Sequence, residues 1–305
     1  MRFLLSADIK RNKPLFYAIF IFNLFGFLFW IGNFFYYDAV YGLSPKKLNV
    51  FFFGEPDFPQ KVSLSTLFQE MHIFLFINFF FAFILFSITN LFTYRFKYFF
   101  TFSAFILLFF QPLSDIIIYT TEIKAFLYFK SISFILFQLI IFTVLVLTTY
   151  KLIKKEGTAQ DFGFLKLLIA IFSLFALTFT VINLFLFKEK LGFSPESVKE
   201  YYLGNPNKFV KPKSFEGLVK VTHPHMLSIP AFYFALGHFF LFTSYKKKGL
   251  IIILLLSLPL FESLSGFFIR YIHPDFSLIK VITFFISSVL TVFASLYLLR
   301  EALKS

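Results

Sequence analysis

Five histidines and two sets of paired charges hold most of the chemistry open to this chain. The histidines are His72, His223, His225, His238 and His273, and there is no cysteine. That absence excludes disulfides, thiolate metal sites, iron–sulfur clusters, covalent haem attachment and a Cys nucleophile. His72 and His223 fall at matching places in two similar stretches. An imidazole pair related in that way suits axial ligation of one b-type haem held between helices, with His225 as an alternative to His223. The same groups together with Glu70 suit a divalent metal instead. In the cluster Thr222-His223-Pro224-His225, Thr222 is expected to cap a helix, with Pro224 in its first turn and His223 on the loop edge. His238 lies about 22 Å farther along the helix, and its counterpart in the first stretch is Ser87, so one haem or none is the limit.

Four further charges sit inside apolar runs, where an ionisable group is costly and finds a partner or a function. Asp115 follows Pro112 and Glu262 follows Pro259, while Lys130 and Lys280 open the next runs. The simplest expectation pairs Asp115 with Lys130 and Glu262 with Lys280 as buried ion pairs, each closing a helical hairpin. The sharper one makes Glu262, with Arg270 and His273, part of a proton or quinone site. Pro112 and Pro259 are expected to kink their helices and free a carbonyl. No phosphate-cradling Gly loop, H-E-x-x-H pair or G-x-S-x-G elbow is present.

The elements that must position these groups are lipid-embedded. Of 305 residues 58% are hydrophobic, 24% aromatic and only 15% charged, with mean hydropathy +0.80, far from the composition of a soluble domain. About 20 apolar residues cross a bilayer. Runs of that kind lie near 14–37, 67–92, 98–120, 126–150, 165–187, 224–244, 249–271 and 277–299. The first reads as an uncleaved span rather than a signal peptide. Eight spans place both termini on one side. That side carries Arg2, Lys10, Arg11, Lys13, Arg95, Lys97, Lys151, Lys154, Lys155, Lys246, Lys247, Lys248, Arg300 and Lys304 with few acids, so it is the cytoplasmic face. The net charge of +13 is mostly this asymmetry. It gives no basic soluble face for nucleic acid.

An internal duplication organises the chain. Gly42-Leu43-Ser44-Pro45 running to Gly54-Glu55-Pro56 recurs as Gly192-Phe193-Ser194-Pro195 running to Gly204-Asn205-Pro206. Farther on, Pro112…Asp115 matches Pro259…Glu262. The fold class this implies is an all-α integral membrane protein, with eight transmembrane helices in two tandem, parallel four-helix-bundle repeats at 1–153 and 154–305. Ser-Pro at 44 and 194 should open short outer-face helices over 44–53 and 194–203, with Gly54 and Gly204 as C-terminal caps.

The segment Lys213-Ser214-Phe215, followed by Thr222-His223-Pro224-His225 and then Glu262-Ser263-Leu264-Ser265, resembles a group of uncharacterised bacterial four-span membrane proteins with an outer K-S-F … T-H-x-H pattern. The resemblance covers roughly 165–300. The first half departs from it, with Met71-His72-Ile73-Phe74 in place of T-H-x-H. It implies architecture and a site, and no reaction. The leading functional expectation is a multi-pass subunit of the bacterial inner (cytoplasmic) membrane in an electron-transfer assembly, binding one b-type haem or a quinone near the outer face and meeting membrane or periplasmic redox partner subunits. The rivals are a transporter or metal-handling protein and a non-catalytic membrane scaffold. In every case the surrounding partner is the lipid bilayer, not nucleic acid.

Overall fold

The computed structural model describes residues 12–156 and 161–304. Arg2, Lys10, Arg11 and the linker residues Gly157-Thr158-Ala159-Gln160 lie outside the described residues. Contacts group the chain into two compact units, Met1–Leu168 and Ile169–Ser305. The first unit contains α1 (Lys13–Val40), a short α2 (Pro45–Phe53), the two-residue strands β1 (Gly54–Glu55) and β2 (Phe58–Pro59), then α3 (Leu64–Thr89), α4 (Lys97–Thr121) and α5 (Ala125–Ile153). Helix α6 (Phe162–Leu191) begins in the first unit and continues into the second. There it is followed by α7 (Pro195–Leu203), a 3-10 turn at Pro206–Lys208, α8 (Phe215–Leu241), α9 (Lys248–Tyr271) and α10 (Phe276–Leu303).

Local chemistry sets the helix ends alike in both units. Ser44 caps α2 by accepting the Lys47 N–H, and Ser194 caps α7 by accepting the Ser197 N–H, each with Pro in the first turn. Both short helices end on a glycine with positive φ, 81° at Gly54 and 80° at Gly204. A Cβ there would stand 2.5 Å from Gln60 N or Val210 O, so only glycine lets the chain double back at once. The return is the antiparallel β1–β2 hairpin in the first unit and an isolated Asn205–Val210 bridge in the second. Ser63 then caps α3 and Ser214 caps α8.

That last cap corrects one expectation. The helix carrying the Thr222–His225 cluster starts at Phe215, with the Ser214 side chain accepting the Gly217 N–H. Thr222 is therefore no cap, and Pro224 lies in the helix interior rather than its first turn. Pro112 and Pro259 likewise sit within unbroken helices.

Among the described residues seven helices, α1, α3, α4, α5, α6, α9 and α10, are long and apolar enough to cross a membrane. Helix α8 has 27 residues, but His223, Pro224, His225, Pro230 and His238 dilute its apolar run and it falls outside that group. Phe25, Phe35 and Phe99 are among the many large apolar side chains left exposed, as lipid-facing surface requires. The interiors are aromatic. Tyr37 stacks on Phe134 at 3.7 Å in the first unit, and Phe187 stacks on Phe284 at 3.9 Å in the second. These two stacks fix the correspondence between α5 and α10.

Candidate functional site

In the first unit, Lys130 Nζ lies 2.6 Å from Asp115 Oδ1, with the two side chains 1% and 2% exposed. The ammonium also donates to Gln111 Oε1 at 3.3 Å, and Gln111 Nε2 donates to Lys130 O and to Ser133 Oγ. The Tyr41 ring covers the ammonium at 4.5 Å and Tyr37 stands at 5.8 Å, an electron-rich wall for a cation that has left water. Taking both charges out of water costs several kcal/mol per ion, roughly. The carboxylate, the amide and the rings together offset that cost.

In the second unit, Lys280 Nζ donates to Glu262 Oε1 at 2.5 Å and to Glu262 O at 2.9 Å. Tyr202 of α7 lies 5.7 Å from the ammonium. This pair is less sealed, with Lys280 at 6% and Glu262 at 18% exposure. The two units thus contain the ion pairs at the residues named from sequence, but not in the register read from the prolines. Helices α4 and α9 both begin on a lysine, Lys97 and Lys248. Ser114 Oγ donates to Gln111 O, just as Ser265 Oγ donates to Glu262 O. Glu262 therefore occupies the place of Gln111, and Gly266 the place of Asp115. The missing side chain at Gly266 makes room for Tyr202, whose Cε1 would stand 2.8 Å from an added Cβ.

The second unit has another polar feature. Ser277, Lys280, Thr283, Ser287, Thr291 and Ser295 form a buried stripe down α10. Thr291 Oγ1 donates to Tyr233 OH at 3.5 Å, while Ser277 Oγ and Ser295 Oγ are buried without a hydrogen-bond partner among the described residues. The corresponding face of α5 carries Phe137, Ile141 and Leu145, all buried. One copy is plugged with hydrocarbon where the other is lined with hydroxyls.

The remaining site candidates are spread out. His72 and His223 each lie nine residues beyond the cap serine of their helix, His72 half-buried in the first unit and His223 exposed in the second. His225 is half-buried, with Nδ1 2.6 Å from Val221 O. The exposed ring of His238 packs on Phe234 and Phe242. Glu70 accepts from Tyr36 OH at 3.1 Å. Arg270 Nε donates to Lys213 O, and the exposed His273 accepts from the Asp275 N–H, so both serve the loops rather than Glu262. Among the described residues no group of three or more His, Asp or Glu is placed to hold a metal ion. Sequence reasoning missed Gln111, Tyr202 and Gly266. Aligning the serines three residues after Gln111 and Glu262 would have exposed the first of these.

A sequence family described as a transmembrane helical domain, Aq_1264_TM, matches the chain twice, over residues 42–159 and 192–305. The chain belongs to this family. Each match to the transmembrane helical domain takes in one short capped helix and the three long helices after it, leaving α1 and α6 outside. The domain is therefore present here as an internal repeat in a multi-pass membrane protein. No curated protein matches the chain, and no solved structure does.

Proposed function

We propose that this chain is a proton-coupled membrane transport protein, in which Glu262 on Lys280 is the charge-exchanging group and Asp115–Lys130 keeps the first unit closed. The observation that carries this reading is the contrast between two copies of one plan: the first pair is 1% and 2% exposed, the second 6% and 18%. A neutral pair buried in lipid is stable only as a pair. A proton arriving on Glu262 leaves Lys280 with an uncompensated charge, so the lysine must release its own proton or accept a new counter-ion. Proton arrival is thereby tied to a second movement. The hydroxyls of α10 continue from this pair for about 22 Å to Ser295, and intramembrane polar groups of this kind mark proton and ion pathways.

The test is flux in proteoliposomes, read by a pH-sensitive dye under an imposed gradient. Glu262→Gln should fold and lose at least tenfold in rate. A Glu262→Gln protein that melts like the wild type and transports like it overturns the reading.

The topology belongs to the same proposal: α8 is the eighth span, each of the two repeats is a four-helix bundle, and both termini face the cytoplasm of a bacterial inner membrane. A reporter fused after Ser305 should be active only in the cytoplasm. A second reading, a b-type haem or quinone held by His72 with His223 or His225 in a redox assembly, draws on the equal spacing of His72 and His223 from their caps. It requires a reduced-minus-oxidised haem spectrum or bound quinone that His223→Ala abolishes.

A further inference from the structure

The first unit contains a lateral groove of about 210 Å³ between α1 and α3, lined by Phe29, Gly32, Asn33, Tyr36, Phe74, Ile77 and Asn78. Its walls are aromatic, and Gly32 and Ile77, at its edge, are exposed. Its floor is polar: Asn33 Nδ2 donates to Asn78 Oδ1 at 2.6 Å, and Asn78 Nδ2 donates to Phe74 O. Both asparagines are buried, at 5% and 1% exposure. An amide nitrogen carries two hydrogens, and the bond to Asn78 uses one of those on Asn33. At the end nearer α2, Tyr36 OH donates to Glu70 Oε2.

We infer that this groove binds the ring of a lipid-borne quinone. Three properties select that occupant. The volume equals that of roughly seven liquid waters, below the range of roughly 300 Å³ and upward usual for a drug-sized ligand, so one substituted ring fits while its tail stays in the bilayer. The rings of Phe29, Tyr36 and Phe74 offer stacking to a flat molecule, and the second Asn33 hydrogen suits a carbonyl acceptor. Depth argues against a phospholipid ester. Asn33 lies four residues inside the end of the apolar run at 14–37, about 6 Å along the axis, on the hydrocarbon side of the head groups. Only binding is inferred, and it stands apart from the transport reading.

The chain has a single tryptophan, Trp30, beside Phe29 and tied by its Nε1–H to Gln138 O at 2.9 Å. The experiment is fluorescence of the full chain in nanodiscs titrated with a decyl-substituted benzoquinone. The wild type should show saturable quenching. Gly32→Leu adds a side chain where nothing lies within 4 Å of its Cβ, so it should fold, fill the groove and weaken binding at least fivefold. Ile77→Phe narrows the same groove from an exposed position and should weaken binding as well. Quenching that rises linearly without saturation, or is unchanged in both variants, overturns the site. Displacement of the quinone by dodecanoic acid at equal concentration would show an acyl-chain groove and overturn the occupant. Failure of Glu262→Gln to affect flux leaves this result untouched.

Discussion

Lys280 reaches Glu262 on α9, whereas Lys130, at the same place in the first unit, reaches Asp115 one helical turn nearer the loop and shares its ammonium with Gln111. The two copies have exchanged a carboxylate and its neighbour between adjacent turns while keeping one negative charge per lysine. Charge neutrality, not the identity of the position, is what a low-dielectric interior enforces.

That exchange can be made by hand. Asp115→Asn leaves Lys130 buried with only two amides and two rings, and should destabilise the first unit by about 3–5 kcal/mol, the cost of breaking a buried pair. Adding Gln111→Glu returns the charge one turn away, as in the second unit, and should recover at least half of the loss. Chemical denaturation of the detergent-solubilised protein measures the cycle. Equal stability of the single and double variants would refute the exchange.

The outer turns give a backbone prediction. Gly54→Ala and Gly204→Ala each place a Cβ at positive φ and 2.5 Å from a main-chain atom of the returning strand. Each should cost about 1–3 kcal/mol and loosen the segment after α2 or α7. Limited trypsin digestion reads this directly at Lys61 in the first case and at Lys208 or Lys213 in the second, with cleavage expected at several times the wild-type rate.

Both short helices, their Ser-Pro starts and their Gly ends were legible because each rests on a local rule with one physical cause. The eight apolar runs correspond to eight long helices for the same reason, although the helix over the run at 224–244 begins nine residues before it, at Phe215. Pro224 masked a cap at Ser214 that lay in a polar stretch. The ion-pair partners could be named because a buried charge has few alternatives. Their register could not, since two Pro-x-x-acid strings matched by letter while the helix ends and the serine bonds align Glu262 with Gln111. The groove was invisible, because Asn33 and Asn78 meet only once α1 and α3 are packed.

Asp161 supplies a pH-dependent contact at the start of α6. Its carboxylate caps the helix by accepting the Phe164 N–H, and it meets Lys97 Nζ at 2.7 Å and Tyr98 OH at 2.9 Å. The Lys97 bond foremost, then the Phe164 amide and the Tyr98 hydroxyl, lower its pKa to about 2. A depressed carboxylate stabilises the folded state fully above its unfolded value of about 4 and loses that contribution as pH falls through about 2. Protection of the first-turn amides of α6, taken relative to their intrinsic exchange rate at each pH, should therefore hold from neutral pH down to about 4 and fall below it. Asp161→Ala, which removes the acceptor, should show the low protection at every pH, and an unchanged profile in that variant would remove the cap from the account.

The hydroxyl stripe of α10 separates a pathway from a packing surface. Small hydroxyl residues often serve helix contact in membranes. Thr283, Ser287 and Thr291 each donate to a carbonyl of their own helix, and of the three only Thr291 also reaches another element, at Tyr233 OH, so removing these hydroxyls takes a single long contact from another helix. The triple variant Ser287→Ala, Thr291→Val and Ser295→Ala should therefore stay within about 1–2 kcal/mol of the wild type, given roughly 0.5 kcal/mol for each weak bond lost. The first unit already shows that apolar Phe137, Ile141 and Leu145 pack at these positions. If the stripe carries protons between Glu262 and the far end of α10, the variant should keep its fold and lose at least fivefold in proteoliposome flux. Flux equal to wild type in a folded triple variant would assign the hydroxyls to packing and leave Glu262–Lys280 to act without them.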